Sequence, residues 1–236
     1  MNRREFTVSA IAAFGLAEFG EGGEQGLDVK APAAIAEGGM LTPPKDKPIQ
    51  VNIAVSHGTT WIDFVGPLAV FETFHHDPVE KKYKPRFTMS LVSEKPGPAG
   101  KLLADYAFEA APTAQIALIP AQPGSPALLD WIKQTAASAD VVMSVCTGAA
   151  HLARAGLLDG QKATTHHKSI DRFAKDFPAV HWISNMRFVE GKKVSTGGGL
   201  TAGIELALRI TERYFGREWA QEVAEHLEYQ GRGWIV

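Results

Sequence analysis

From residue 49 onward the chain alternates short apolar runs rich in β-branched residues with stretches whose apolar positions recur every three or four residues. "IQVNIAVS" (49–56), "RFTMSLVSE" (86–94), "AQIALIPA" (114–121) and "DVVMSVC" (140–146) read as strands. The last two are almost wholly apolar, as strands buried on both faces of a parallel sheet are. "GPLAVFETF" (66–74) reads as a helix with Pro67 in its first turn, and "SPALLDWIKQTAASA" (125–139) as a helix capped by Ser125 with Pro126 at the first position. "TGAAHLARAGLL" (147–158) and "SIDRFAKDF" (169–177) continue the helical series, and "QKATTHH" (161–167) the strands. "VHWIS" adds strand, "RFVEGKKVSTGG" predicts a hairpin around Glu190-Gly191, and helices over roughly 200–215 and 217–229 close the chain. The alternation predicts one three-layer α/β domain over 49–236 with a mainly parallel central sheet. Sites in such sheets form beyond the carboxyl ends of the strands.

Composition narrows the partner. The chain has 236 residues, is 45% hydrophobic and 21% charged, and carries a formal charge of −2, which leaves no electrostatic footprint for nucleic acid or an anionic membrane. A small-molecule substrate is the expectation. A single cysteine, Cys146, excludes an internal disulfide and a cysteine-rich metal cage. His75-His76-Asp77 is too compact to suggest a metal site, and neither metal nor cofactor is expected.

The start of the chain reads differently. "MNRREFTVSAIAAFGLAEFGEGGEQG" places Arg3 and Arg4 before Phe6 and a weakly apolar run too short to span a membrane. It resembles a twin-arginine export signal, with Thr7 and Val8 where such signals often carry Leu and Lys. Ala34-Ile35-Ala36 offers a signal-peptidase triplet within residues 20–48, which are rich in Gly, Pro and Ala. Residues 1–48 are therefore expected to be leader and flexible linker, and the protein periplasmic or secreted; the other reading of this segment is a cytosolic tail.

Cys146 stands where the strand 140–146 meets the helix 147–158. Unpaired amides at a helix start favour a thiolate and an oxyanion. Val145-Cys146-Thr147-Gly148-Ala149 has the layout of a nucleophile elbow without its first glycine. A buried, inert strand-end thiol has the same local pattern. Asp63 in "TWIDFVGP" is either a turn residue or an acid beside the thiol, and His166 in "ATTHHKSID" either a surface histidine or a proton-transfer group.

Taken together, "IDFVGP", "SVCTGAAHLARAGLLDG", "ATTHH" and "TGGGLTAGIELAL" resemble the ThiJ/PfpI superfamily of glutamine amidotransferase-like, flavodoxin-like proteins, over roughly residues 49–230. Within it they are similar to the isonitrile hydratase subgroup and to the sensing domains of AraC-type regulators. The resemblance implies a flavodoxin-like fold, Cys146 as elbow nucleophile, Asp63 as the acid beside its sulfur, and His166 as the nearby histidine. Thr147 stands where the protease-like branch has His, which speaks against peptidase activity. Pro120-Ala121-Gln122-Pro123-Gly124 replaces the usual Pro-Gly-Gly, whose amides serve the anion site. Ala121, Gln122 and Gly148 thus become the expected substrate and oxyanion group, with Gln122 able to donate from its own side-chain amide.

The implied activity is hydration of an isonitrile to an N-substituted formamide through a Cys146 thioimidate. The alternatives are a glyoxalase or deglycase acting on α-oxoaldehydes with His166 moving protons, and a non-catalytic thiol-based sensor. A homodimer is expected, with Trp61, Phe71, Phe74 and Trp234 either at its surface or in the core.

Overall fold

The computed structural model describes residues 33–73, 75–77, 82–99 and 101–236, so the twin-arginine-like stretch lies outside the described residues. Eight strands form the central sheet: β1 (Ala33–Ala36), β2 (Ile49–Ala54), β3 (Phe87–Ser93), β4 (Tyr106–Ala107), β5 (Ile116–Ile119), β6 (Val141–Val145), β7 (Met186–Glu190) and β8 (Val194–Gly197). Their order is β1-β7-β8-β6-β5-β2-β3-β4. All neighbours run parallel except the β7–β8 hairpin, which turns where Gly191 N donates to Val194 O at 3.0 Å.

Alternation along the buried strands feeds two separate cores, because successive side chains leave opposite faces of a sheet. Val51, Ile53, Leu118, Met143 and Val145 join one core with α1 (Ile62–Glu72), α5 (Ala202–Phe215) and α6 (Arg217–His226). Ala54, Ile119 and Val142 join the other with α2 (Pro126–Ser138) and α3 (Ala149–Arg154). The flavodoxin-like sandwich follows. Ser125 caps α2 as its sequence predicts, its hydroxyl accepting from Leu128 N at 3.1 Å with Pro126 at the first helical position. Of the aromatic residues considered for an interface, Phe71 and Trp234 are in the core, Trp61 is 51% exposed, and Phe74 is outside the described residues.

Four local expectations are corrected. α1 begins at Ile62, so Asp63 sits in its first turn and Pro67 inside it; Pro67 lacks the N–H that would have bonded the Asp63 carbonyl. α3 is only six residues long, preceded by a 3-10 turn over Cys146–Gly148. From the stretch 161–167 only Lys162–Ala163 is strand, paired with His181–Trp182 outside the main sheet. His166 instead heads a 3-10 turn over His167–Ser169, which leads into α4 (Ile170–Asp176).

The fourth concerns residues 33–48, which read as linker and are part of the domain. β1 pairs with β7, and the strand continues as Glu37 N donates to Glu190 O at 3.0 Å. Glu190 is fully buried at the end of β7. A buried carboxylate needs compensating partners, and it has Gly38 N at 3.2 Å, Arg209 Nε at 3.2 Å and Arg213 Nε at 3.4 Å. The same arginines hold the incoming chain: Arg209 donates to Gly38 O and Arg213 to Gly39 O. A side chain at Gly38 would come within 2.5 Å of the Arg213 guanidinium carbon, so only glycine passes this close.

Candidate active site

Cys146 follows β6 with φ at +58°, a left-handed conformation uncommon for a residue that carries a Cβ. Neighbours hold it there. Its N–H continues the sheet by donating to Gly198 O at 2.7 Å, and Thr165 Oγ1 donates to its carbonyl at 2.8 Å. Gly148 lets the elbow seat on the end of β5, because a Cβ there would meet the Ile119 carbonyl oxygen and stand 2.8 Å from that of Pro120. Gly148 is thus required for close approach.

The thiol is 7% exposed and faces four groups: the amides of Thr147 and Leu200, the Thr147 hydroxyl, and the Asp63 carboxyl. Asp63 is fully buried in the first turn of α1, and its Oδ2 accepts from Ala121 N at 3.0 Å. Burial raises its pKa to about 6 against the opposing pull of the Ala121 amide and the Cys146 thiol. Burial, then the Asp63 charge, push the thiol above its ordinary value despite the donors around it. The resting pair at neutral pH is therefore a neutral thiol beside a carboxylate. Sequence favours a thiolate here, but α3 is too short for a strong macrodipole and the site is too dry.

The remaining expected site residues divide. Thr147 faces the sulfur through both its amide and its hydroxyl. The Ala121 amide, expected in an oxyanion hole, is taken by Asp63. Gln122 turns away: its Nε2 donates to Ala54 O at 2.9 Å and its Oε1 accepts from Thr59 at 3.4 Å, so it anchors a loop and does not point a donor at substrate. His166 is close to the turn before α5, since a Cβ at Gly199 would lie 2.6 Å from its ring, but its Nδ1 accepts from Lys168 N and it makes no hydrogen bond or ion pair with Cys146 or Asp63. Burial, His167 and Lys168 hold His166 below its ordinary pKa. The neighbouring Thr165 is the residue of "ATTHH" that reaches the elbow. Leu200, with φ at +52°, supplies an amide that no sequence signal marks, because leucine is not a residue type associated with such a conformation. Among the described residues no cluster of three or more His, Cys, Asp or Glu is placed to hold a metal.

Residues 49–213 match the family described as DJ-1/PfpI. The chain belongs to the DJ-1/PfpI family. Among its DJ-1/PfpI relatives it is 32% identical to isonitrile hydratase of Pseudomonas putida over 188 residues, covering 77% of this chain and 78% of the relative. It is 33% identical to the HTH-type transcriptional regulator CdhR of Pseudomonas aeruginosa over 101 residues, 43% of this chain and 30% of the regulator, so it spans under a third of that protein. A crystal structure of a ThiJ/PfpI family protein from Pseudomonas syringae superposes with a TM-score of 0.63 at 25% identity, covering 79% of this chain and 77% of that one. The DJ-1/PfpI fold places Cys146 at the carboxyl end of a central strand, the position expected for a nucleophile elbow.

Proposed function

We propose that this chain is a cysteine-dependent enzyme that hydrates isonitriles to N-substituted formamides. The observation that carries the reading is the buried Cys146–Asp63 pair, a thiol beside a carboxyl whose pKa lies near 6 and whose Oδ1 is buried with no hydrogen-bond partner. An isonitrile carbon accepts both a proton and a nucleophile, and such a pair supplies both. Asp63 takes the proton from sulfur as Sγ bonds the terminal carbon and delivers it to that same carbon, giving a thioimidate with one new C–S and one new C–H bond. Water then adds across C=N. The tetrahedral adduct collapses to the formamide, the C–S bond breaks, and sulfur recovers a proton through Asp63. The amides of Thr147 and Leu200 and the Thr147 hydroxyl face the sulfur and stabilise charge on it as it leaves. The similarity to isonitrile hydratase over 77% of the chain supports the substrate class. Trp61, 51% exposed just before Asp63, and Leu200, 41% exposed, offer apolar surface to a nitrogen substituent.

The geometry weighs against the alternatives. α-Oxoaldehyde chemistry draws on a histidine at the thiol, and His166 is bonded elsewhere. A thiol held above its ordinary pKa is a slow target for oxidants, which weighs against an oxidation sensor. Export through the twin-arginine-like leader and assembly as a homodimer belong to the same proposal; fractionation of cells expressing the full chain and sedimentation of the purified protein test them. The activity test is conversion of cyclohexyl isocyanide to its formamide by wild type and by Cys146→Ser. Turnover by wild type alone is expected; turnover by both proteins, or by neither, sinks the reading.

A further inference from the structure

The replacement of the family's Gly-Gly by Ala121-Gln122 has a counterpart on α3. His151 is buried, at 6% exposure, and its Nε2 lies 2.9 Å from the Gln122 carbonyl oxygen. Three successive peptide groups of the loop between β5 and α2 are thereby tied to different elements. The Ala121 N–H goes to Asp63, the Ala121 carbonyl accepts from Thr60 N at 2.8 Å, and the Gln122 carbonyl accepts from His151. The ring also props the loop sterically, since a Cβ on Gly124 would stand 3.0 Å from His151 Cε1.

The tautomer is fixed by its neighbours. A carbonyl oxygen only accepts, so Nε2 carries the hydrogen; a guanidinium only donates, so Nδ1, 3.4 Å from Arg154 Nη1, is bare. Burial holds the imidazole below its ordinary pKa, with the Gln122 carbonyl opposing and the Arg154 charge reinforcing, so the ring stays neutral in this role.

Resting on the thiol chemistry above, we propose that His151 is a positioning residue that clamps the 120–124 loop and so keeps the Ala121 amide on Asp63. It touches neither sulfur nor carboxylate. Without its donor the Gln122 carbonyl loses its tie to α3, the Ala121 amide is held toward Asp63 only by the Thr60 N–H and Gln122 side-chain ties, and the bond that favours the charged carboxyl weakens. The titratable group facing Asp63 is Cys146, and the charged group facing His151 is Arg154.

The single cysteine makes the test selective, because iodoacetamide alkylation reads Cys146 alone. In wild type the logarithm of the rate rises with pH and bends near pH 6, where the Asp63 charge appears and raises the thiol's pKa. His151→Leu, without a donor, is expected to move the bend upward by up to about one unit, the effect of one amide on a carboxylate. His151→Gln, whose amide can donate to the same carbonyl, returns it toward wild type. A bend unmoved in folded His151→Leu overturns the proposal. Should that variant not fold, nitrogen NMR of wild-type histidines decides: a neutral Nε2–H ring at neutral pH supports the clamp, and a bare Nε2 or a doubly protonated ring overturns it. Neither readout needs turnover, so absent hydratase activity with a bend that moves as expected would sink the reaction and leave the clamp standing.

Discussion

At the scale of single residues, Asp63 carries opposite consequences for activity and for stability. Its folded pKa lies near 6, above its unfolded value, so between the two values the folded state binds more protons and stability falls as pH rises. The ionised carboxylate at neutral pH thus costs about 2–3 kcal/mol. Asn at this position can still accept from Ala121 and donate to sulfur, so Asp63→Asn is expected to raise the melting temperature at pH 7. The same change removes the base, and turnover should fall by about 10²–10⁴. Wild-type turnover should decline as pH falls through about 6, and a pH–rate profile flat from 5 to 8 would contradict Asp63 as the base. Residue types announced much of this site. Cys146, Asp63 and Thr147 stand together as their motifs imply, while Thr165 contributes a hydroxyl to the Cys146 carbonyl and Leu200 a backbone amide, which side-chain identity does not reveal.

At the scale of elements, the elbow depends on how closely β6 and β5 hand their chains over. Gly148→Ala would drive a methyl into the carbonyls of Ile119 and Pro120, and neither backbone can yield without moving its strand. A loss of roughly 2–4 kcal/mol is expected in denaturant unfolding, together with loss of the Cys146 conformation. Strand and helix order was readable from periodicity because each buried run serves two cores and has little freedom to be anything else. The start of α1 is not legible in the sequence, because Pro67 imitates a first-turn signal while Trp61, which precedes the helix, provides no side-chain cap. The role of Gln122 is hidden for a different reason: its partners come from the end of β2 and the turn after it, Ala54 and Thr59, and from His151 on α3, and no local pattern announces such convergence.

At the scale of the whole molecule, the sheet's outer edge is closed by a segment whose composition argues for a linker. Its small residues fit because they must pass over Arg213, and β1, Ala-Ala-Ile-Ala, has a single large side chain, Ile35, to betray it. Its anchor is the buried Glu190 with Arg209 and Arg213, whose charges offset the burial that raises the Glu190 pKa. Glu190→Ala should cost about 3–5 kcal/mol, because it strands the buried Arg213, and amide exchange should accelerate first along residues 33–41. Ala34-Ile35-Ala36 lies within this edge. A peptidase that cuts at such a triplet grips it as an added strand, through the same backbone groups that β7 occupies in the folded domain. Cleavage of the proposed leader at these three residues would therefore compete with folding for one ladder of hydrogen bonds, each excluding the other while it lasts.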